Sequence, residues 1–149
     1  MIQIFNDEYF MKRAFNEALI AGQNGEVPVG AVIVSENMLI GRAHNQVQRL
    51  NDVTAHAEII AITAASNFLG NKYLQNCTLY VTMEPCVMCA GALRWAQLGK
   101  LVYAVQDEKY GFMQYGKELL HPKTKVEFGI MQTECKNLIQ AFFKEKRKF

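Results

Sequence analysis

The chain has 149 residues, half of them hydrophobic and a fifth charged, with 10 glycines and 3 prolines; that is the balance of a folded chain and excludes a disordered or collagen-like one. No apolar stretch approaches the roughly 18 residues a spanning helix needs, and the opening MIQIFNDEYFMKRAF carries acids where a secretory signal has a basic start and a continuous apolar centre. A net charge of +2 is too small to argue for nucleic acid by itself.

A single domain over residues 1–149 is expected from this length, in the cytoplasm and without membrane attachment. Asp7 to about Ala21 repeats Tyr9, Phe10, Ala14, Ala18 and Leu19 at helical spacing and stops near Gly22. VGAVIVSENMLIGRAHN then reads as two strands around Glu36-Asn37, a hairpin with Asn at its tip. After a polar loop, Thr54 can cap a helix from about Ala55 toward Gly70. CTLYVTM, Cys77 to Met83, reads as a strand closed by Glu84-Pro85, and Pro85 opens a helix ending at Gly99. Lys100 to Val105 and Lys125 to Met131 read as two more strands, and Thr133 to about Arg147 as a closing helix. Strand-helix-strand units favour parallel pairing, so the fold class is α/β, a mixed five-stranded sheet with helices on both faces.

Chemistry gathers at two of these helix starts. His56 and Glu58 fall in the first turn of one, Cys86 and Cys89 in the first turn of the other. Cys-x-x-Cys puts two sulfurs on one helix face, where free backbone N–H groups and the helix dipole favour thiolate. In a reducing compartment, cysteines point to metal or thiolate chemistry and not to disulfides. One imidazole and two thiolates suit Zn²⁺. Three protein ligands leave a position for water, the mark of a catalytic zinc, and Glu58 beside it can carry protons.

The H-x-E and P-C-x-x-C pair is the signature of zinc-dependent nucleobase deaminases. With EVPVGAVIV, AHAEI, LYVTMEPCVMCAGAL and the order of the elements, the chain from about Asp7 to Lys146 resembles the bacterial tRNA adenosine deaminases, which make inosine at the wobble position of the anticodon. The resemblance implies a cytidine deaminase-like three-layer α/β/α sandwich, usually a homodimer, acting on the anticodon loop of tRNA. It implies one Zn²⁺ on His56, Cys86 and Cys89, with Glu58 as the catalytic proton shuttle during attack on C6 of adenine and loss of ammonia. It also implies that Asn45 holds the purine edge, that Val27, Pro28, Gly30 and Ala31 line the base pocket, and that the Ala57 amide faces the reacting oxygen. Asp107 and the His121-Pro122 pair match the family's substrate-binding loop. Between them the sequence departs from the family's small residues, with Tyr110, Phe112 and Tyr115; these could stack on anticodon bases or narrow the mouth for a free base or nucleoside.

Other readings compete. Cys86 and Cys89 would also fit a thioredoxin-like redox pair, which leaves His56 and Glu58 unexplained. A structural zinc needs a fourth protein ligand, and Cys77 sits in a strand leading away. Cys77 and Cys135 read as core, His44 as a hydrogen-bonded surface histidine, Trp95 as core or subunit interface, and KEKRK as a solvated helix face. For function, the alternatives are a deaminase of free guanine, cytosine or adenosine and, more remotely, a non-catalytic RNA-binding protein; the presence of Glu58 speaks against the second.

Overall fold

Glu36 and Asn37 have φ of 51° and 61°, the positive pair that a two-residue hairpin turn requires because its twist must match that of the strands. They join β1 (Gly30–Ser35) to β2 (Met38–His44) in antiparallel register from Gly30↔His44 to Ser35↔Met38, with a bulge at Ile33/Val34. The computed structural model describes residues 5–147. Met1 to Ile4 of the opening segment and Lys148 of the basic run lie outside the described residues.

The sheet continues with β3 (Thr78–Met83), β4 (Lys100–Val105) and β5 (Lys125–Phe128), in the order β2-β1-β3-β4-β5. β1 and β3 pair antiparallel, whereas β3, β4 and β5 run parallel. The period-two alternation of strands divides the core. Ala31, Ile33, Leu79, Val81, Leu101 and Tyr103 belong to one buried cluster; Val32, Val34, Tyr80, Val102 and Ala104 belong to the other. The first is covered by α3 (Ala57–Leu69) and α4 (Val87–Trp95), the second by α1 (Asp7–Gln23) and α5 (Gln132–Lys146). This is the expected α/β/α sandwich with its mixed five-stranded sheet. No helix among the described residues is long and apolar enough to cross a membrane.

Boundaries differ from expectation where local hydrogen bonding decides them. Asn6 caps α1, its Oδ1 accepting from the Tyr9 amide at 2.8 Å. Thr54 does not cap α3; its amide and hydroxyl both donate to Asp52 Oδ1 at 2.8 Å, and the cap position falls to His56. Pro85 precedes α4 instead of opening it: its carbonyl accepts from the Phe112 amide at 3.0 Å and Cys86 pairs with Gly111 in an antiparallel bridge. α4 ends at Trp95, short of Gly99, because Gln97 turns left-handed (φ 55°) and Leu98 N–H donates to Leu93 O at 3.2 Å, a Schellman closure. Three short pieces form within segments expected as loop: α2 (Val47–Leu50) and the 3₁₀ turns Phe112–Gln114 and Lys117–Leu119.

Candidate metal centre and active site

Two helices on the same face of the sheet begin side by side. His56 is the cap of α3 and Cys86 the cap of α4, both in extended backbone. Their carbonyls accept the first intrahelical bonds, from Ile60 at 3.1 Å and Ala90 at 2.9 Å. His56 Nδ1 stands 3.7 Å from Cys86 Sγ and 3.5 Å from Cys89 Sγ. All three donor atoms lie within 4.8 Å of one another, the geometry of a site that could hold one metal ion, and among the described residues the cluster counts three donors.

The electrostatics suit a cation. The hydrogen bond from Cys89, with that from His56, holds the Cys86 thiol down to about 4. The Cys89 thiol is pushed up, first by serving Cys86 as donor and then by burial. His56 is raised by its hydrogen bond to Cys86. One negative charge is thus shared by two sulfurs at a helix N-terminus, where the dipole and free amides stabilise it. Glu58, in the first turn of α3, is buried, and burial pushes its carboxyl up to about 7.

The approach to the cluster is built by Asn45. This buried side chain donates from Nδ2 to Val27 O at 3.1 Å and accepts the Ala57 amide on Oδ1 at 2.8 Å. The Ala57 amide, which the resemblance turned toward the reacting oxygen, is therefore bonded to Asn45 here. Val27 is half-buried and packs on the α3/α4 core; Pro28 and Ala31 are buried. Gly30 faces the other way: a Cβ there would collide with the α1 backbone at Ala14 O and Ala18 N, so the missing side chain lets α1 rest on β1.

Asp107 and His121 do not lie together. Asp107 shapes its own loop, Oδ1 accepting the amides of Lys109 and Tyr110 at 3.0 Å each. His121 lies far off, lining a cleft with Cys77, Gly99 and Lys125 where β3, β4 and β5 begin, whereas the cysteines follow the end of β3. A strand of this length separates them by about 17–20 Å. Of the loop aromatics, Phe112 is fully buried, its ring centroid 6.2 Å from that of Tyr103, while Tyr110 and Tyr115 are exposed. Trp95 is 83% exposed and is not core.

Two carboxylates escaped the sequence reading. Buried Glu26 accepts the amides of Gln48 (3.0 Å) and Arg49 (2.9 Å), capping α2 beside the site, and buried Glu84 accepts those of Asp107 and Met113, both at 3.0 Å. Each is an acid set among apolar residues one or two places before a proline, in GEVPV and MEPC. That pattern was the available signal, because an acid in such a run is retained when backbone amides need an acceptor.

The family model of the MafB19-like deaminases matches residues 5–147. The tRNA-specific adenosine deaminase of Aquifex aeolicus is 43% identical over 145 residues, 94% of this chain and 95% of that protein. A structure from studies of A-to-I editing by tRNA:A34 deaminases superposes with a TM-score of 0.82 at 40% identity, covering 87% of this chain and 98% of that one. The guanine deaminase of Bacillus subtilis gives a TM-score of 0.65 at 43% identity, covering 68% of this chain and 65% of its own. A histidine and two cysteines converging at two helix starts, beside a buried glutamate, are thus set in a sequence alike from end to end, and the chain belongs to the MafB19-like deaminases and to the family of the tRNA-specific adenosine deaminases.

Proposed function

We propose that this protein is a zinc-dependent hydrolase that deaminates adenosine to inosine at the wobble position of a tRNA anticodon. The observation that carries the chemistry is the buried Glu58 carboxyl next to the His56, Cys86 and Cys89 donors. Tetrahedral zinc with N and S ligands at their usual lengths separates those ligand atoms by about 3.6 Å; the observed 3.5 and 3.7 Å fit it without rearrangement. Bound zinc would supply the Lewis acidity that makes water a nucleophile at neutral pH.

The chain's own residues do the rest. Glu58 takes one proton of the attacking water and gives it to N1 of the adenine as C6 becomes tetrahedral; it then takes the proton of the new C6 hydroxyl and delivers it to the amine, so that ammonia leaves as the ring carbonyl forms. Burial keeps that carboxyl away from bulk water and raises it above the ordinary carboxylate range, which suits a group that must take up a proton and give it back. Asn45 has one N–H and one oxygen lone pair left after binding Val27 and Ala57, and these read the purine edge. Val27, Pro28 and Ala31 form the apolar wall, with Gly30 supporting it through α1. Asp107 holds the loop at the rim, and His121 takes no part in base binding.

The anticodon loop is the substrate favoured by extent of likeness. This chain corresponds to 95% of the Aquifex tRNA-specific adenosine deaminase but to 65% of the Bacillus guanine deaminase. A looped-out base is also cheaper to bring to a buried centre than a stacked one. Deamination of free guanine is the second reading, favoured by the 43% identity to that enzyme. The test incubates zinc-loaded protein with tRNA bearing adenosine at the wobble position and, separately, with guanine, cytosine and adenosine. Inosine in the tRNA by mass shift supports the first reading; turnover of guanine with none of tRNA replaces it by the second.

Residues 1–149 then act as a single deaminase domain, in the cytoplasm, where the four free cysteines stay reduced. The same reading makes it a homodimer. Exposed Val87 and Trp95 flank half-buried Gly91 along one face of α4, with open space above Gly91 and 83% of Trp95 accessible, a patch suited to a second copy.

A further inference from the structure

The loop from Asp107 to Tyr115 lies against the start of α4. Its contact with the site is the antiparallel bridge between Gly111 and Cys86, reinforced by the Phe112 amide donating to Pro85 O at 3.0 Å. Glu84 fixes it from beneath: one carboxylate oxygen takes the Asp107 amide and the other the Met113 amide, each at 3.0 Å, so the two ends of the turn hang on one buried group. A side chain at Gly111 would collide with the Glu84 carboxylate, which shows how closely the turn is wrapped on it. Phe112 plugs the core against Tyr103, and Asp107 closes the crest through the Lys109 and Tyr110 amides. A short loop held at four points in this way has little freedom to lose when a ligand binds.

What this scaffold presents is Tyr110, 63% exposed, one residue from the partner of Cys86, with the Lys109 ammonium 5.2 Å from its ring centroid. An aromatic ring beside a cation, held out at the edge of a catalytic centre, matches what a single-stranded nucleotide needs: a π face for the base and a charge for its phosphate. We propose that Tyr110 is the stacking seat for the base adjacent to the reacting adenine, and that Glu84 is the positioning residue that holds the seat in place. The inference rests on the RNA reading above, since a free base has no neighbour to stack.

The experiment measures kcat and KM of the zinc-loaded full chain on an anticodon stem-loop RNA, for wild type, Tyr110→Ala, Tyr110→Phe, Glu84→Gln and the Glu84→Gln/Tyr110→Ala pair. Tyr110→Ala should raise KM about tenfold, the loss of one base stack, with kcat within twofold, and Tyr110→Phe should restore it. In Glu84→Gln an amide replaces one acceptor and turns a donor toward a backbone donor, so KM should rise while zinc content stays at one per chain. The double variant should be no worse than the worse single, because a seat out of place gains nothing from its ring. Unchanged KM in Tyr110→Ala, or fold-losses that multiply in the double variant, would overturn the proposal while leaving the RNA reading intact. A wild type inactive on the stem-loop would sink both together. Should Glu84→Gln fail to fold, the Tyr110 pair still decides.

Discussion

Asn45 Oδ1 accepts the Ala57 amide at 2.8 Å while its Nδ2 donates to Val27 O at 3.1 Å, so one buried amide joins the loop before β1 to the first turn of α3. Asn45→Ala deletes both bonds and strands a buried donor and acceptor, which costs about 1–3 kcal/mol in stability. Asn45→Asp keeps the acceptor for Ala57 and loses the donor for Val27. Activity should fall at least tenfold in both variants, and both should unfold at a lower temperature than wild type. Equal melting temperatures for Asn45→Ala and wild type would contradict this role.

Glu58 is the proton carrier of the proposed reaction, and it is not one of the three metal donors. Glu58→Gln preserves volume and removes the exchangeable acid, so turnover should fall ~10³-fold or more. Metal content by elemental analysis should remain at one ion per chain. A Glu58→Gln enzyme with near-normal kcat would remove the residue from the mechanism, and one that had lost its metal would make it a ligand.

Removing the metal with a chelator should expose one thiol in particular. Cys86 is half-buried, with its thiol held down to about 4 by the hydrogen bond from Cys89. In the metal-free protein its alkylation rate should therefore stay flat from pH 5 to 8, where an ordinary thiol gains about tenfold per unit. The sign follows from the shift: a depressed group is already thiolate above its folded value, and the flatness is lost only as pH falls toward 4. Cys77 and Cys135 are buried, and burial pushes both thiols up, Cys135 to about 12. They should resist the reagent until the protein unfolds. Added Zn²⁺ should protect Cys86, and mass mapping of labelled peptides reads all four cysteines at once.

The sequence carried the parts of this site that depend on residue type and short spacing. His56, Cys86 and Cys89 stand out because Cys-x-x-Cys and His-x-Glu have few other uses side by side, and the five strands were marked by β-branched runs. The hairpin turn at Glu36-Asn37 was legible because few residues accept its positive φ. What stayed hidden depends on partners distant in sequence. Glu84 acts on amides 23 and 29 positions later, and Glu26 on amides 22 and 23 later; no local pattern says which backbone donors will need an acceptor. His121 matched a motif, yet strand direction carries it to the far end of the sheet. Thr54 and Pro85 had the right chemistry for caps but were claimed by Asp52 and by the Phe112 backbone.

Trp95 offers the sharpest test of self-association. Helical spacing of four aligns it with Gly91 and Val87 on one face of α4, and the ring is 83% exposed, whereas Ala90 and Leu93 take the buried face. A solvated tryptophan beside a glycine that leaves room for an incoming side chain is the composition of an interface centre, where a single aromatic dominates the binding energy. Trp95→Glu would place a charge there without disturbing the core, so sedimentation should shift from dimer toward monomer at micromolar concentration, with association weakened about 30-fold or more. The melting temperature of the dilute protein should barely change, because nothing buried in the chain itself is lost. A wild type that sediments as a monomer, or a Trp95→Glu variant as dimeric as the parent, would show that this face of α4 is not the contact.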